Sequence, residues 1–85
     1  MERELIGRNG WPIDPAYVAG LELIGRQLRR ARYEKGWTQM QLEHASGVDQ
    51  TTISRLENGR LTSISILKLA AIALALAGLW RFDVG

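Results

Sequence analysis

Apolar residues recur at helical spacing in several segments of the chain after residue 13. In the first segment they stand three or four positions apart, at Tyr17, Leu21, Ile24, Leu28 and Ala31. Asp14 and Pro15, which precede this run, are typical of a helix N-cap followed by proline in the first turn. The pattern therefore predicts a helix that begins at Pro15. Gly20 and Gly25 lower its helical propensity, so a later start near Leu21 is the alternative.

Two shorter helices are predicted next, separated by a tight turn. In WTQMQL, Thr38 can cap a helix while the side chain of Gln41 reaches back to the Thr38 amide, which is the pattern of a capping box. This second helix should stop at Gly47. A third should begin after the cap residue Asp49 and end at Asn58-Gly59. Two helices joined by so short a turn have the spacing of a helix-turn-helix.

A fourth helix is predicted after Thr62 or Ser63, with Leu61 placed to pack on Ile66. The segment ISILKLAAIALALAGLW has Lys68 as its only charged residue. Because a membrane span needs about 20 apolar residues, this run is too short to cross a bilayer. A helix that is apolar on all sides must be covered on more than one of them. We interpret the surplus as a homodimer surface; burial by its own chain is the alternative.

The C-terminal segment LWRFDV changes to a period of two. Large apolar residues alternate there with Arg81 and Asp83, which is typical of a β-strand. A lone strand needs a partner for its backbone, and we favour a symmetric pair with a second copy of the chain. The alternatives are an unpaired tail and pairing with the N-terminal segment LIGRNGWPI. An Asn-Gly turn in that segment favours a strand pair, but Pro12 lacks a backbone donor and spoils one side for pairing. The predicted dimer contacts are Leu76, Leu79, Trp80, Phe82 and Val84.

Composition narrows the class of protein. The chain has 85 residues, enough for one small domain, and its lack of cysteine excludes disulfides and thiolate zinc sites. Its single histidine, His44, has no partner at metal-ligand spacing, and its serines have no paired base, so we expect neither a cofactor nor enzymatic activity. We expect a cytoplasmic protein that does not enter the membrane.

The basic residues are concentrated in one segment, although the net charge of the chain is small. The net charge is only +2, but five basic residues fall between positions 20 and 35. A solvated helix face and a face turned to phosphate are equally good interpretations of this run.

The third predicted helix carries polar residues suited to reading DNA. One side holds Ile53 and Leu56, whereas the opposite arc holds amides, hydroxyls and an arginine. Glutamine can pair with adenine, arginine with guanine, and threonine can offer its methyl group to thymine. Residues at the start of such a helix lie deepest in the major groove, so we predict Gln50, Thr51 and Arg55 as base contacts.

The segment GWTQMQLEHASGVDQTTISRLENGR resembles the helix-turn-helix of the lambda-repressor/Cro-like (XRE) family. Over about residues 21 to 74, this resemblance implies an all-α, compact bundle of four to five helices, to which the short C-terminal β-strand is added. It also implies an internal ion pair between Arg32 and Glu57. The phosphate contacts it implies are Gln39, Ser54, Asn58 and Arg60.

One position departs from the family's pattern. Glu43 stands where a small alanine is usual between the second and third helices, so it must turn outward or find a cation, and it puts the angle between them in doubt. Asp49 allows two interpretations, as a helix cap or as an acceptor for a cytosine amino group.

The resemblance implies a protein that binds double-stranded DNA sequence-specifically. Because the fourth helix and the tail are predicted to pair two copies, we expect a homodimer, and repression by occupying an operator is the simplest mechanism. Its operator would be a near-palindrome with half-sites roughly 34 Å apart. A helical domain that ends in a strand is also similar to antitoxins of the HipB type, which bind a toxin kinase; a stand-alone or phage-type regulator is the alternative. We divide the chain into an N-terminal extension (1–13), a DNA-binding domain (14–76) and a dimerisation strand (77–85).

Overall fold

Four helices make up the bundle in the part of the chain that the structure describes. The computed structural model describes residues 5–6 and 12–78, with side chains from residue 14 onward. The elements in chain order are β1 (Leu5–Ile6), β2 (Pro12–Ile13), α1 (Pro15–Glu34), α2 (Gln39–Ser46), α3 (Gln50–Glu57) and α4 (Ile66–Leu76). The prediction of a helical bundle is confirmed for these residues, and the predicted C-terminal strand lies outside them.

The long helix α1 begins at the earlier of the two predicted starts. The Asp14 carboxylate accepts a hydrogen bond from the Ala16 amide at 2.8 Å, and Pro15 occupies the first turn. Proline has no amide to leave unsatisfied there, which stabilises this start. The later start near Leu21 was wrong because Gly20 lies inside α1 without interrupting it.

The caps of α2 and α3 confirm the predicted helix-turn-helix. The Gln41 amide donates to Thr38 Oγ1 at 3.0 Å, and the Thr38 amide donates to Gln41 Oε1 at 2.7 Å. Gly47 ends α2 with φ of 76°, a left-handed conformation that glycine adopts without steric cost. Asp49 then caps α3 by accepting from the Thr52 amide at 2.9 Å.

The fourth helix starts later than predicted. Ser65 is its N-cap, since Ser65 Oγ accepts from the Leu67 amide at 3.2 Å and the Lys68 amide at 3.4 Å. Three hydroxyl residues stand close together before α4, and the sequence alone could not choose between them. The predicted packing of Leu61 on Ile66 is also wrong, because Ile66 is 75% exposed.

The core lies where α2, α3 and α4 meet, and α1 covers it from the side of α3 and α4. It consists of Leu42, Val48, Ile53, Leu56, Ile72, Ala75 and Leu76. The structure therefore places Leu76, a predicted dimer contact, inside one chain, where it is only 9% exposed. The other predicted dimer contacts, Leu79, Trp80, Phe82 and Val84, lie outside the described residues.

The N-terminal segment pairs with itself. Strands β1 and β2 form an antiparallel ribbon in which Leu5 pairs with Ile13 and Ile6 pairs with Pro12. Pro12, which we expected to spoil one side of this segment for pairing, lies within the ribbon. Each strand of a two-stranded ribbon has a free edge, so a proline nitrogen can face away from the partner strand.

No helix in residues 14–78 combines the length and the hydropathy that a bilayer crossing demands.

Candidate nucleic-acid interface

The side chains predicted to contact DNA line one open groove. This groove has a volume of about 390 Å³. Residues at the start of α2, in α3 and in the segment after α3 line it. Its lining residues are Gln39, Gln50, Thr51, Ser54, Arg55, Asn58 and Arg60. These are the seven residues that the sequence analysis assigned to bases or to phosphates, and the fold brings them together across a separation of 21 positions from Gln39 to Arg60.

Helix α3 separates its two faces as its sequence pattern predicts. Ile53 and Leu56 are almost fully buried, whereas the side chains of Gln50, Thr51 and Arg55 are exposed along the groove. The three predicted base contacts therefore lie in the first two turns of α3, on the side away from the core.

The turn between α2 and α3 is fixed by a serine that the sequence analysis considered only as a nucleophile. Ser46 is 2% exposed, and its Oγ accepts a hydrogen bond from the Val48 amide at 3.1 Å. Val48 itself is part of the core. A buried hydroxyl that satisfies a turn amide restrains the turn, and so the placement of α3 against α2.

The implied ion pair between Arg32 and Glu57 is confirmed. The guanidinium donates from Nε and Nη2 to the two carboxylate oxygens at 2.7 and 2.8 Å, and from Nη1 to the Trp37 carbonyl at 2.7 Å. The two side chains are only 7% and 2% exposed. The hydrogen bond with Glu57 raises the pKa of Arg32 above its ordinary value, even though burial alone would lower it.

Two of the predicted phosphate contacts already have partners in the free protein. Gln39 Nε2 donates to Glu57 Oε1 at 3.2 Å, which connects the groove to the ion pair. Asn58 Nδ2 donates to the Ser54 carbonyl at 2.8 Å and approaches Ser54 Oγ at 3.4 Å. The second hydrogen of the Gln39 amide and the hydroxyl hydrogen of Ser54 can still be given to a phosphate.

Glu43 finds its partner at the start of α3. Its Oε2 accepts from the Gln50 amide at 2.8 Å, so the carboxylate turns toward the positive end of α3 instead of pairing with a cation. This contact ties α2 to a predicted base contact. The sequence analysis identified Glu43 as unusual but did not predict its role, although an unsatisfied amide in the first turn of α3 was the available signal.

Asp49 acts as the cap of α3. Its carboxylate also accepts from Thr52 Oγ1 at 2.8 Å, and the hydrogen bonds from Thr52 lower the pKa of Asp49 below its ordinary value. With both Thr52 donors engaged, the carboxylate is ordered by its own helix.

Comparison with known proteins yields one match. Residues 28–77, more than half of the chain, match a family described as helix-turn-helix. The match includes α2, the turn, α3 and α4, and thus the whole groove. Neither the curated proteins nor the solved structures contain a match.

Proposed function

We propose that this chain, which belongs to the helix-turn-helix family of DNA-binding transcription regulators, is a sequence-specific repressor that acts as a homodimer on a near-palindromic operator. The observation that supports the proposal best is the single groove lined by all seven predicted DNA contacts. Its amides, hydroxyls and two arginines match what a major groove offers, and its open shape suits a polymer better than an enclosed small molecule.

In this proposal α3 enters the major groove with its exposed face forward. Gln50 reads adenine with its amide, Arg55 reads guanine with two N–H donors of its guanidinium group, and Thr51 packs its methyl group on thymine. The phosphate contacts Gln39, Ser54, Asn58 and Arg60 hold the flanking phosphates and set the register without reading sequence. Occupying the operator is sufficient to repress transcription, so no catalytic step is required.

A homodimer is supported by the outer face of α4, which we define as Ile66, Leu67, Ala70 and Leu74. The leucines Leu67 and Leu74 are 79% and 40% exposed although they lie in an apolar helix. Single exposed leucines are ordinary, but these residues recur along one side of α4. A second copy of the same face would cover them and would present two copies of α3 to the same duplex.

The proposal is tested by binding to the DNA upstream of the gene that encodes the chain, at near-physiological salt with excess competitor DNA. Arg55→Ala should cost about 1–3 kcal/mol on the cognate site and relax specificity at one base pair. Arg30→Ala removes another exposed arginine, one that does not line the groove, and it should leave the ratio of cognate to random binding unchanged.

The outcomes distinguish base reading by Arg55 from general electrostatic attraction to DNA. Equal losses on cognate and random DNA would assign Arg55 to a phosphate and contradict its reading role. A wild-type protein that binds no DNA selectively would contradict the repressor itself.

A second role, as the antitoxin of a toxin kinase, rests on the sequence pattern of residues 79–85 and on the resemblance to HipB-type antitoxins. Copurification of a kinase encoded beside this gene would support it. A regulator without such a partner would purify alone and still bind its operator.

A further inference from the structure

Helix α1 carries exposed basic residues beside the end of the recognition helix. Two further depressions lie along this side of the molecule. The first, of about 280 Å³, is lined by Glu22, Arg26, Arg29, Glu57, Asn58 and Gly59, and the second, of about 460 Å³, by Arg26, Arg29, Arg30, Tyr33 and Glu34. We call Arg26, Arg29 and Tyr33 the α1 strip.

The α1 strip is continuous with the open groove that holds the predicted DNA contacts. Asn58 lines both the groove and the first depression, and Arg26 and Arg29 line both depressions. A negatively charged chain that leaves the groove past Asn58 therefore meets Arg29 and Arg26 next. Arg30, on the same helix, lines the second depression and not the first, which Asn58 and Gly59 at the end of α3 help to line.

Tyr33 holds Arg29 in place within the strip. Arg29 Nη2 lies 3.4 Å from Tyr33 Oη, and the guanidinium carbon lies 5.4 Å from the ring centre. The Arg32 guanidinium lies on the same ring at 4.5 Å. An arginine that is already ordered on an aromatic ring loses less side-chain entropy when it binds a phosphate.

The acidic groups nearby do not cancel this charge. Glu57 is buried and paired with Arg32, so it contributes little to the surface. Glu22 lines the first depression, where its side chain packs along Gly59: an added Cβ there would meet Glu22 Cγ at 3.3 Å. Glu34 lines the second depression together with Arg30. Across the two depressions, three exposed arginines therefore outnumber the two carboxylates of Glu22 and Glu34.

We propose that the α1 strip binds the phosphate backbone of the duplex next to the bases read by α3. The proposal rests on the function proposed above and adds a contact to it. The observations that favour DNA are the continuity with the groove and the positive charge of the strip. The contact is independent of sequence, so it lengthens the footprint and strengthens binding without changing which bases are read.

The test is the salt dependence of binding to a cognate duplex, measured for the full chain. Each phosphate contact contributes about 0.9 to the slope of log K against log salt concentration. Replacing both arginines, as Arg26→Gln with Arg29→Gln, should reduce the slope by about 2 per protomer. The preference for cognate over random DNA should persist. Glu22→Gln should strengthen binding, because it removes the carboxylate that lines the first depression beside Asn58.

Arg30→Gln is the matched control, since it removes the same charge from the same helix. Because it removes one charge and the double variant removes two, it should change the slope by much less than half of the change in the double variant. A change of half that size would indicate diffuse attraction and overturn the contact. All these side chains lie on exposed or partly exposed positions of α1, so unfolding in urea should confirm that each variant is folded.

The α1 contact and the repressor can fail separately. If the slope is unchanged in the double variant while Arg55→Ala still loses specificity, the α1 contact alone is overturned. An acidic protein would then be the partner that the charge of the strip suits. A wild-type protein without selective DNA binding would overturn the proposed function and this contact with it.

Discussion

The guanidinium of Arg32 and the carboxylate of Glu57 join α1 to α3 inside the bundle. Each is satisfied by several hydrogen bonds, and Gln39 adds a donor from α2, so three helices meet at one polar centre. Removing two charges from water is costly, and only a fully satisfied geometry offsets that cost. The pair is therefore strong evidence for how the helices are placed and weak evidence for overall stability.

Breaking this pair on one side should be far worse than replacing both residues. Arg32→Met should lower the free energy of unfolding by about 3–5 kcal/mol, because it leaves the Glu57 carboxylate buried without its partner. Adding Glu57→Met should recover much of that loss, although the Trp37 carbonyl remains without the donor it had. Urea unfolding of the two variants measures both values.

The exposed arginine Arg30 provides the control for that comparison. Arg30→Met should change the free energy of unfolding by no more than about 0.5 kcal/mol. A double variant that is less stable than Arg32→Met alone would contradict the argument, since it would mean that Glu57 stabilises the fold without Arg32.

Residue roles that depend on neighbours in sequence could be predicted from the residues themselves. Roles that depend on packing could not, except where the family resemblance supplied them, as for the pair of Arg32 and Glu57. The caps Asp14 and Thr38 act within three positions of themselves, so the sequence is sufficient to find them. Glu43 reaches an amide seven positions away, across the turn, and its role depends on how α2 lies against α3. Ser46 likewise owes its function to burial.

At the scale of the helices, the close approach of α1 to α3 occurs at Gly25. A Cβ added there would overlap the carbonyl oxygen of Leu56 and lie 2.9 Å from its carbonyl carbon. Backbone atoms cannot rotate away as a side chain can. Gly25 therefore sets the distance between the two helices, and through Leu56 it sets the position of the end of the recognition helix.

Two glycines of α1 should respond to alanine in opposite ways. Gly25→Ala should destabilise the protein by about 1–3 kcal/mol or more, because α1 and α3 must move apart. Gly20→Ala meets nothing of the described chain within 4 Å, so it should stabilise α1 by about 0.5–1 kcal/mol through its higher helix propensity. Thermal or urea unfolding measures both. Equal effects at the two positions would contradict the role of Gly25.

The sequence predicted helices better than it predicted their surroundings. Periodicity and caps located α1, α2 and α3, and helical geometry together with the family resemblance selected all the side chains of the groove. The predicted start of α4 was wrong because several hydroxyl residues that could cap the helix stand within a short stretch. The pairing of β1 with β2 was not predicted. It depends on which edge of its strand a proline nitrogen faces, and the sequence of one strand does not determine that edge.

For the whole molecule, the groove is small compared with the task of selecting one operator. Helix α3 has eight residues, and the residues predicted to read bases are three. Each wrong base pair costs only about 1–3 kcal/mol, so one copy of this domain discriminates weakly against the many other sites on DNA. Two copies on one duplex would double the number of bases that are read, and the outer face of α4 is the surface that we propose for such pairing.

Replacing Leu67 and Leu74 by glutamate should therefore yield a monomer. Like charges would face each other across the two-fold axis, and the apolar area that drives association would be lost. Tyr17→Glu is the control, because Tyr17 is 76% exposed on α1 and its replacement should preserve the dimer. Analytical ultracentrifugation gives the mass of each form.

Binding to DNA gives an independent measure of the same interface. On a full palindrome the double glutamate variant should bind no more tightly than wild type binds a single half-site, whereas Tyr17→Glu should retain the full affinity. If the variant keeps the mass of a dimer, α4 is not the interface and the pairing must come from residues 79–85. If wild type is itself a monomer at the concentrations that fill the operator, the symmetric repressor is wrong. The recognition helix would then have to achieve its selectivity with the bases and phosphates within reach of one copy.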